Sequence, residues 1–458
     1  MRNAAAQNGD PQRVYRTDGI ALIAIVVLAS AIYILSPVTT STDSAWTFHV
    51  AASMLRQGNI DLDEYRGNMN LKIDYRLRLV GGHVYSYYPI ATPLLVTPAV
   101  WVINKIYPLI YRTDFYTYLD QHAPDTRTAR LEKVIASGIA ALSAALIYLI
   151  ARRELGTLKS LAITFVFAFS TSIWSTASRA LWQHGPSVLF LSAALYLALL
   201  AKQKEHLTFW AGIILGCAYL IRPTNSLAVA FLGLYILINH RKAVWLYALG
   251  LGLILVPYLI LNWLTYQNIL PPYSYQLFER LAPPKVFGEA LAGTLISPAR
   301  GLLIFSSVFL FAIYGAYLRL KYDLTLASID LYLVAILLAH WITTSLFEDW
   351  GGAWSIGPRY FVDITPFLVY FLIPIMQGKT LAGASWRYAF ITSILVSTLI
   401  QFHCSTSIYP FMWNGKPRAL VEAPERKWDW GDLQFLRGFC PNDPLEGRAP
   451  ACWFGAND

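Results

Sequence analysis

Long apolar runs separated by short polar connections organise most of this chain. Eleven such runs lie at roughly 19–37, 132–151, 158–176, 186–201, 207–221, 225–239, 243–262, 301–318, 329–346, 363–377 and 383–403, some near the lower limit of about 17 residues for crossing a bilayer. The expected fold is all-α, a polytopic membrane bundle of about eleven transmembrane helices. A twelfth apolar stretch, Pro89–Pro108, is interrupted by Pro89, Pro93 and Pro98. It is read as a helix lying in or dipping into the outer interface, because counting it as a span would invert every later loop.

Lys and Arg fix the orientation, since the side that retains positive charge in short loops is cytoplasmic. Arg2, Arg13 and Arg16 precede the first run, and basic residues recur at every second connection: Arg152/Arg153/Lys159, Lys202/Lys204, Arg241/Lys242, Arg319/Lys321 and Lys379/Arg387. This predicts a cytoplasmic N-terminus at 1–18 and a transmembrane region at 19–403. Within it, 38–131 forms a large extracytoplasmic loop with interfacial helices, and 404–458 follows as an extracytoplasmic tail. The first run is too long for a signal h-region and lacks a small-residue cleavage site, so it is expected to stay as an anchor.

Composition agrees with a membrane protein. The chain has 458 residues, 56% hydrophobic and 14% charged, with a mean hydropathy of +0.45, beyond what soluble folds carry. A net charge of +9 suits cytoplasmic loop bias and anionic headgroups, and implies no nucleic acid. Of the four cysteines, Cys440 and Cys452 are spaced for a short disulfide loop in an oxidising compartment, whereas Cys217 reads as a small core residue. No Cys/His spacing resembles a zinc site.

Polar groups gather on the outer side. The most informative stretch is Glu348-Asp349-Trp350-Gly351-Gly352-Ala353-Trp354-Ser355-Ile356-Gly357-Pro358-Arg359-Tyr360. Its glycines permit close turns, its indoles offer faces such as Trp354 for stacking, and Arg359 offers a forked donor suited to phosphate or carboxylate. Asp43 follows the first run and precedes an amphipathic helix with Trp46, Val50, Ala51 and Met54 on one face, ending near Gly58. Asp43 is a candidate base at the membrane surface, or else the cap of that helix. Arg179, Gln183 and His184 share one short connection, as ligand donors or as a snorkelling Arg beside an interfacial Trp. Arg222 is the most membrane-embedded charge, and a guanidinium there suits a lipid phosphate. Arg300 is a further candidate phosphate donor. Tyr85 and Tyr88 serve either sugar contacts or an interfacial aromatic belt. Glu348 and Asp349 are alternative bases, or ion-pair partners of Arg359. Asp61-Leu62-Asp63-Glu64 has D-x-D spacing, but adjacent acids in an exposed loop are commonly solvated, so no metal or other cofactor is assigned.

The N-terminal-inside topology, the Asp directly after the first span in one large first external loop, and the Pro-rich apolar segment before the second span resemble the GT-C superfamily of integral membrane glycosyltransferases. That group includes protein O-mannosyltransferases, the aminoarabinose transferase acting on lipid A, and bacterial relatives using polyprenyl-phosphate sugars. The resemblance covers most of residues 15–403 and is one of architecture plus short motifs, among them Arg222-Pro223-Thr224-Asn225 and Trp350-Gly351-Gly352 with Gly357-Pro358-Arg359. It implies a glycosyltransferase of the bacterial cytoplasmic membrane with its site facing outward. A sugar on polyprenyl phosphate would pass to an envelope glycan, lipid or protein acceptor, with Asp43 as base, inversion at the anomeric carbon, and Arg222 and Arg359 on the departing phosphate. One departure is Asp43-Ser44, where many members carry Asp-Glu. Two other classes use the same residues: a flippase or transporter of lipid-linked sugar, which would need polar or broken helices near the midplane, and a noncatalytic envelope-assembly subunit, which would not need Asp43.

Overall fold

The computed structural model describes residues 11–275, 284–378 and 383–439, so the Cys440–Cys452 pairing lies outside the described residues. Helices account for nearly all regular structure. In order they are α1 (Pro11–Leu35), α2 (Thr47–Arg56), α3 (Ala91–Ile106), α4 (Phe115–Gln121), α5 (Thr126–Arg152), α6 (Thr157–Phe169), α7 (His184–Ala201), α8 (Leu207–Ile221), α9 (Ser226–Asn239) and α10 (Val244–Tyr266). There follow α11 (Pro272–Tyr275), α12 (Pro284–Ile296), α13 (Leu302–Phe305), α14 (Phe309–Tyr322), α15 (Ile329–Ser345), α16 (Thr365–Tyr370), α17 (Ile373–Gln377), α18 (Ala384–Thr406) and α19 (Tyr409–Met412). The one sheet among the described residues is a hairpin, β1 (Leu77–Val80) with β2 (His83–Ser86), closed by Gly81 and Gly82 at φ +59° and +91°. Both turn positions need positive φ, which glycine adopts without strain.

Among the described residues, five helical segments are long and apolar enough to cross a membrane: Asp18–Leu35, Thr126–Arg152, His184–Ala201, Arg241–Tyr266 and Ala384–Thr406. The other expected runs form shorter helices. The 158–176 run ends as α6 at Phe169 and resumes as a π turn at Ile173–Ala177, the 301–318 run divides into α13 and α14, and 363–377 divides into α16 and α17. Pro374 opens the last of these, where its missing N–H is harmless. α8 and α10 approach so closely that a Cβ on Gly212 would lie 2.2 Å from the Tyr247 carbonyl and one on Gly250 2.1 Å from that of Phe209. Small residues make such contact possible where lipid supplies no hydrophobic drive between helices.

The segment between α1 and α5 has an apolar core of its own. Phe48, Val50, Val100, Phe115 and Leu119 are buried together against Ala136 and Ile139 of α5. α2 matches the expected amphipathic helix, and Gly58 follows it with φ +70°. α3 differs from expectation: the prolines do not break it, because Pro93 falls in its first turn and only Pro98 lies inside. α5 begins six residues earlier than the apolar run, at Thr126, capped by Asp125, whose side chain accepts from the amides of Arg127 and Thr128 in a capping box. A capping box overrides the apolar period as the start signal.

The chain after α18 folds back onto the 349–357 loop. Gln434 is fully buried there, accepting from the Gly357 amide at 2.9 Å and donating to the Ser355 and Pro410 carbonyls at 2.8 and 2.9 Å.

Candidate functional site

A cavity of about 80 Å³ lies where the turn after α1, the start of α3, the 181–184 connection, the end of α8 and the 359–360 segment converge. Asp43, Tyr88, His184, Arg222 and Arg359 all line it, joined by Ser44, Trp182, Tyr273 and Tyr360. Five positions scattered over more than 300 residues of sequence thus meet at one place.

Asp43 sits in the turn between α1 and α2. Its Oδ2 accepts from Arg359 Nη1 at 3.1 Å and its Oδ1 from the Tyr75 hydroxyl at 2.9 Å. The carboxylate retains about 19% side-chain exposure. The turn is held from outside by Arg76, which donates to the Thr42 carbonyl at 3.2 Å and pairs with Asp74. From inside it is held by Glu132 of α5, which accepts from Ser41 at 2.9 Å and Ser44 at 2.5 Å. Asp43 is therefore not the cap of α2, whose first turn has no side-chain cap.

Arg359 lies over the Trp182 ring at 4.8 Å and near Tyr360 at 5.8 Å. Burial opposes its charge, yet Asp43 and the surrounding phenols outweigh it and hold the guanidinium protonated. Its Nε is buried with no hydrogen-bond partner among the described residues. Arg222 is similar. Its Nη1 contacts Asp363 Oδ2 and the ring of His184, its guanidinium lies 5.7 Å from the Tyr360 ring, and its Nε also lacks a partner. Buried guanidinium donors without partners are costly unless a ligand answers them. Two of them stand beside one cavity, each on a guanidinium whose Nη1 is already paired with a carboxylate. Tyr88 and Tyr75 have their phenol pKa values raised, first by burial and then by the Asp43 charge, so both stay neutral donors.

The remaining candidates fall elsewhere. Arg179 is fully buried and donates to the Tyr33 and Ser36 carbonyls at 2.6 and 3.0 Å, tying off the end of α1 rather than reaching the cavity. Arg300 is also buried, with its donors on the Gly351 and Ala353 carbonyls, Gln434 and Asn414, so it braces the 349–357 loop against the C-terminal segment. Trp354 packs on Phe411 and Tyr85 on Tyr266, both outside the cavity lining. Glu348 and Asp349 are exposed, and Arg359 pairs with Asp43 instead of either.

Asp61, Asp63 and His83 bring ligand atoms within 4.8 Å of one another. Asp63 is already engaged by Arg66, His83 and the Val84 amide, and none of the three lines the cavity. Asp363 is the residue that sequence reasoning missed. A lone Asp at the start of an apolar run, with Arg222 embedded elsewhere and in need of a partner, was the available signal.

Residues 126–263 match the family model of dolichyl-phosphate-mannose-protein mannosyltransferases, a family of the GT-C type. No curated protein matches the chain, and no solved structure does. The matched stretch runs from the start of α5 into α10 and contributes Trp182, His184 and Arg222 to the cavity, while Asp43 and Arg359 come from outside it. The match points to a membrane glycosyltransferase of mannosyltransferase-like kind.

Proposed function

We propose that this chain transfers a sugar from a polyprenyl-phosphate donor to an acceptor hydroxyl outside the cytoplasm, by one displacement that inverts the anomeric carbon. The observation that carries this reading is the meeting of Asp43 and Arg359 in a cavity that also presents Arg222, with a buried unpartnered nitrogen on each guanidinium. A base and an anion site side by side are what the reaction requires.

In the proposed step the acceptor O–H gives its proton to Asp43 while its oxygen bonds to C1 of the sugar. The C1–O bond to phosphate breaks, and the polyprenyl phosphate leaves with the electron pair. Charge grows on that leaving oxygen, where fixed donors matter most. Arg222 and Arg359 fill that role, and Tyr88 and Tyr360 offer faces to the sugar ring. Both Asp43 oxygens are engaged by Arg359 and Tyr75, so the acceptor hydroxyl must displace one of them, and a lipid phosphate is the competitor that draws Arg359 away. The expected setting is the outer face of a bacterial cytoplasmic membrane, with envelope glycan, lipid or protein as acceptor.

The test is transfer of labelled sugar from a panel of polyprenyl-phosphate donors to envelope acceptors by protein in lipid nanodiscs, with movement of donor across the bilayer followed in sealed proteoliposomes. Transfer lost in Asp43→Asn with polyprenyl-phosphate binding retained supports the reading. No transfer with any donor, together with movement of donor across the bilayer, replaces it with transport.

A further inference from the structure

Glu132 is a fully buried carboxylate near the outer end of α5, and no cation lies within ion-pairing distance of it among the described residues. A charge in such a place is expensive unless several donors satisfy it. Three do. Ser41 Oγ donates to Oε1 at 2.9 Å, Ser44 Oγ to Oε2 at 2.5 Å, and the Leu181 amide to Oε2 at 3.4 Å.

These donors belong to two different walls of the cavity. Ser41 and Ser44 bracket Asp43 in the turn after α1, and Leu181 precedes Trp182, the ring on which Arg359 lies. One carboxylate, carried on a helix anchored by its own capping box, thus sets the spacing between the base and the platform beneath its arginine. Helices hold such geometry better than loops do. The neighbouring groups Lys133 and Arg179 both donate to the Ser36 carbonyl, at 2.9 and 3.0 Å, so they secure the end of α1, and the Asp43 turn is held by Glu132 from inside and by Arg76 from outside.

We propose that Glu132 is a positioning residue, holding the Asp43 turn and the Leu181–Trp182 segment in register for transfer. This rests on the glycosyltransferase reading above, but its geometry can be tested without it. Glu132→Gln keeps the shape and replaces one acceptor oxygen with a donor, which must then face a serine hydroxyl or the Leu181 amide.

The experiment compares wild type, Glu132→Gln and Ser44→Ala as full-length protein in nanodiscs. It measures transfer kinetics, equilibrium binding of sugar-free polyprenyl phosphate, and hydrogen–deuterium exchange. Glu132→Gln is expected to lower kcat by roughly 10–100-fold, the scale of an ångström-level misplacement. The donor KM and polyprenyl-phosphate binding should stay near wild type, and exchange should quicken in 40–47 and 180–184 alone. Ser44→Ala should show the same pattern more weakly, and keeps the test open if Glu132→Gln does not fold. Unchanged kcat, or a loss shared equally by kcat and phosphate binding, overturns the proposal. If the wild type transfers nothing, the glycosyltransferase reading fails by itself, and exchange then decides this one: unchanged protection in both segments overturns it, while selective loss in both sustains the register.

Discussion

Arg359 Nη1 donates to Asp43 Oδ2 at 3.1 Å, joining residues 316 positions apart in the chain. In the resting site the guanidinium neutralises the carboxylate. A donor phosphate is the stronger bidentate partner for the same fork, so substrate entry should hand Asp43 back its free lone pairs. Asp43→Asn is expected to cut kcat by about 10²–10⁴-fold, the usual share of a general base. It should also tighten binding of sugar-free polyprenyl phosphate, because Arg359 no longer has a competing carboxylate. Kinetics and equilibrium binding on one preparation check both halves, and weaker phosphate binding in the mutant would contradict the exchange of partners.

Arg222 and Asp363 form an ion pair exposed by only a few per cent on either side. Removing one partner strands the other charge, at a cost of about 3–5 kcal/mol. Asp363→Asn and Arg222→Gln should each lower the unfolding midpoint markedly, whereas the double variant should recover much of it. Transfer should not recover in the double variant, since the arginine that faces the phosphate is gone. Recovery of both stability and activity would demote Arg222 to a structural cation.

His49 gives the fold a dependence on acid. It is buried in the apolar core of the segment between α1 and α5, Nε2 donates to the His122 carbonyl at 3.1 Å, and Nδ1 has no partner among the described residues. Burial pushes its pKa down to about 4, so the folded form keeps it neutral while the unfolded chain protonates near pH 6.5. Because the unfolded state then binds more protons, stability is complete above pH 6.5 and falls as pH drops from 6.5 toward 4. The loss can reach roughly 3 kcal/mol. His49→Gln should flatten that part of the curve, as measured by denaturation at pH 7.0 and 4.5. A wild-type curve without a slope in that window would exclude His49 as its source.

Much of the fold was legible because its signals are local. α8 falls on its apolar run to the residue, α9 within one, and Gly58 stops α2 as a helix breaker should. Asp43, Tyr88, His184, Arg222 and Arg359 are candidates in the sequence for separate reasons, Asp43 mainly through the GT-C resemblance and Arg222 as an embedded charge, and the structure gathers them at one cavity. Other residues have surroundings that only long-range pairing decides. Arg179 and Arg300 have the same local context as Arg222, yet their donors end on backbone carbonyls of α1 and of the 349–357 loop. Nothing near them in sequence tells a structural guanidinium from a ligand-binding one. Asp363 and Glu132 sit in or beside apolar helices, and their meaning comes only from Arg222 and from the Asp43 turn folding against them.

Arg300 supplies the sharpest contrast with Arg359. Burial lowers its pKa to about 9, against the pull of Asp349, and its donors reach Gly351, Ala353, Gln434 and Asn414, with the ring of Trp413 5.5 Å away. It cannot answer a substrate without leaving those partners unpaired. Arg300→Met should therefore lower the stability, by about 1–3 kcal/mol for each buried acceptor it orphans, read as a lower unfolding midpoint. Polyprenyl-phosphate affinity, measured per folded molecule, should move far less than in Arg222→Gln. The loop carrying Arg359 hangs from this brace, so a loss in kcat is expected to track the folded fraction as temperature rises and to shrink on cooling. A fall in phosphate affinity at low temperature, equal to that of Arg222→Gln, would return Arg300 to the anion site and refute its role as a brace.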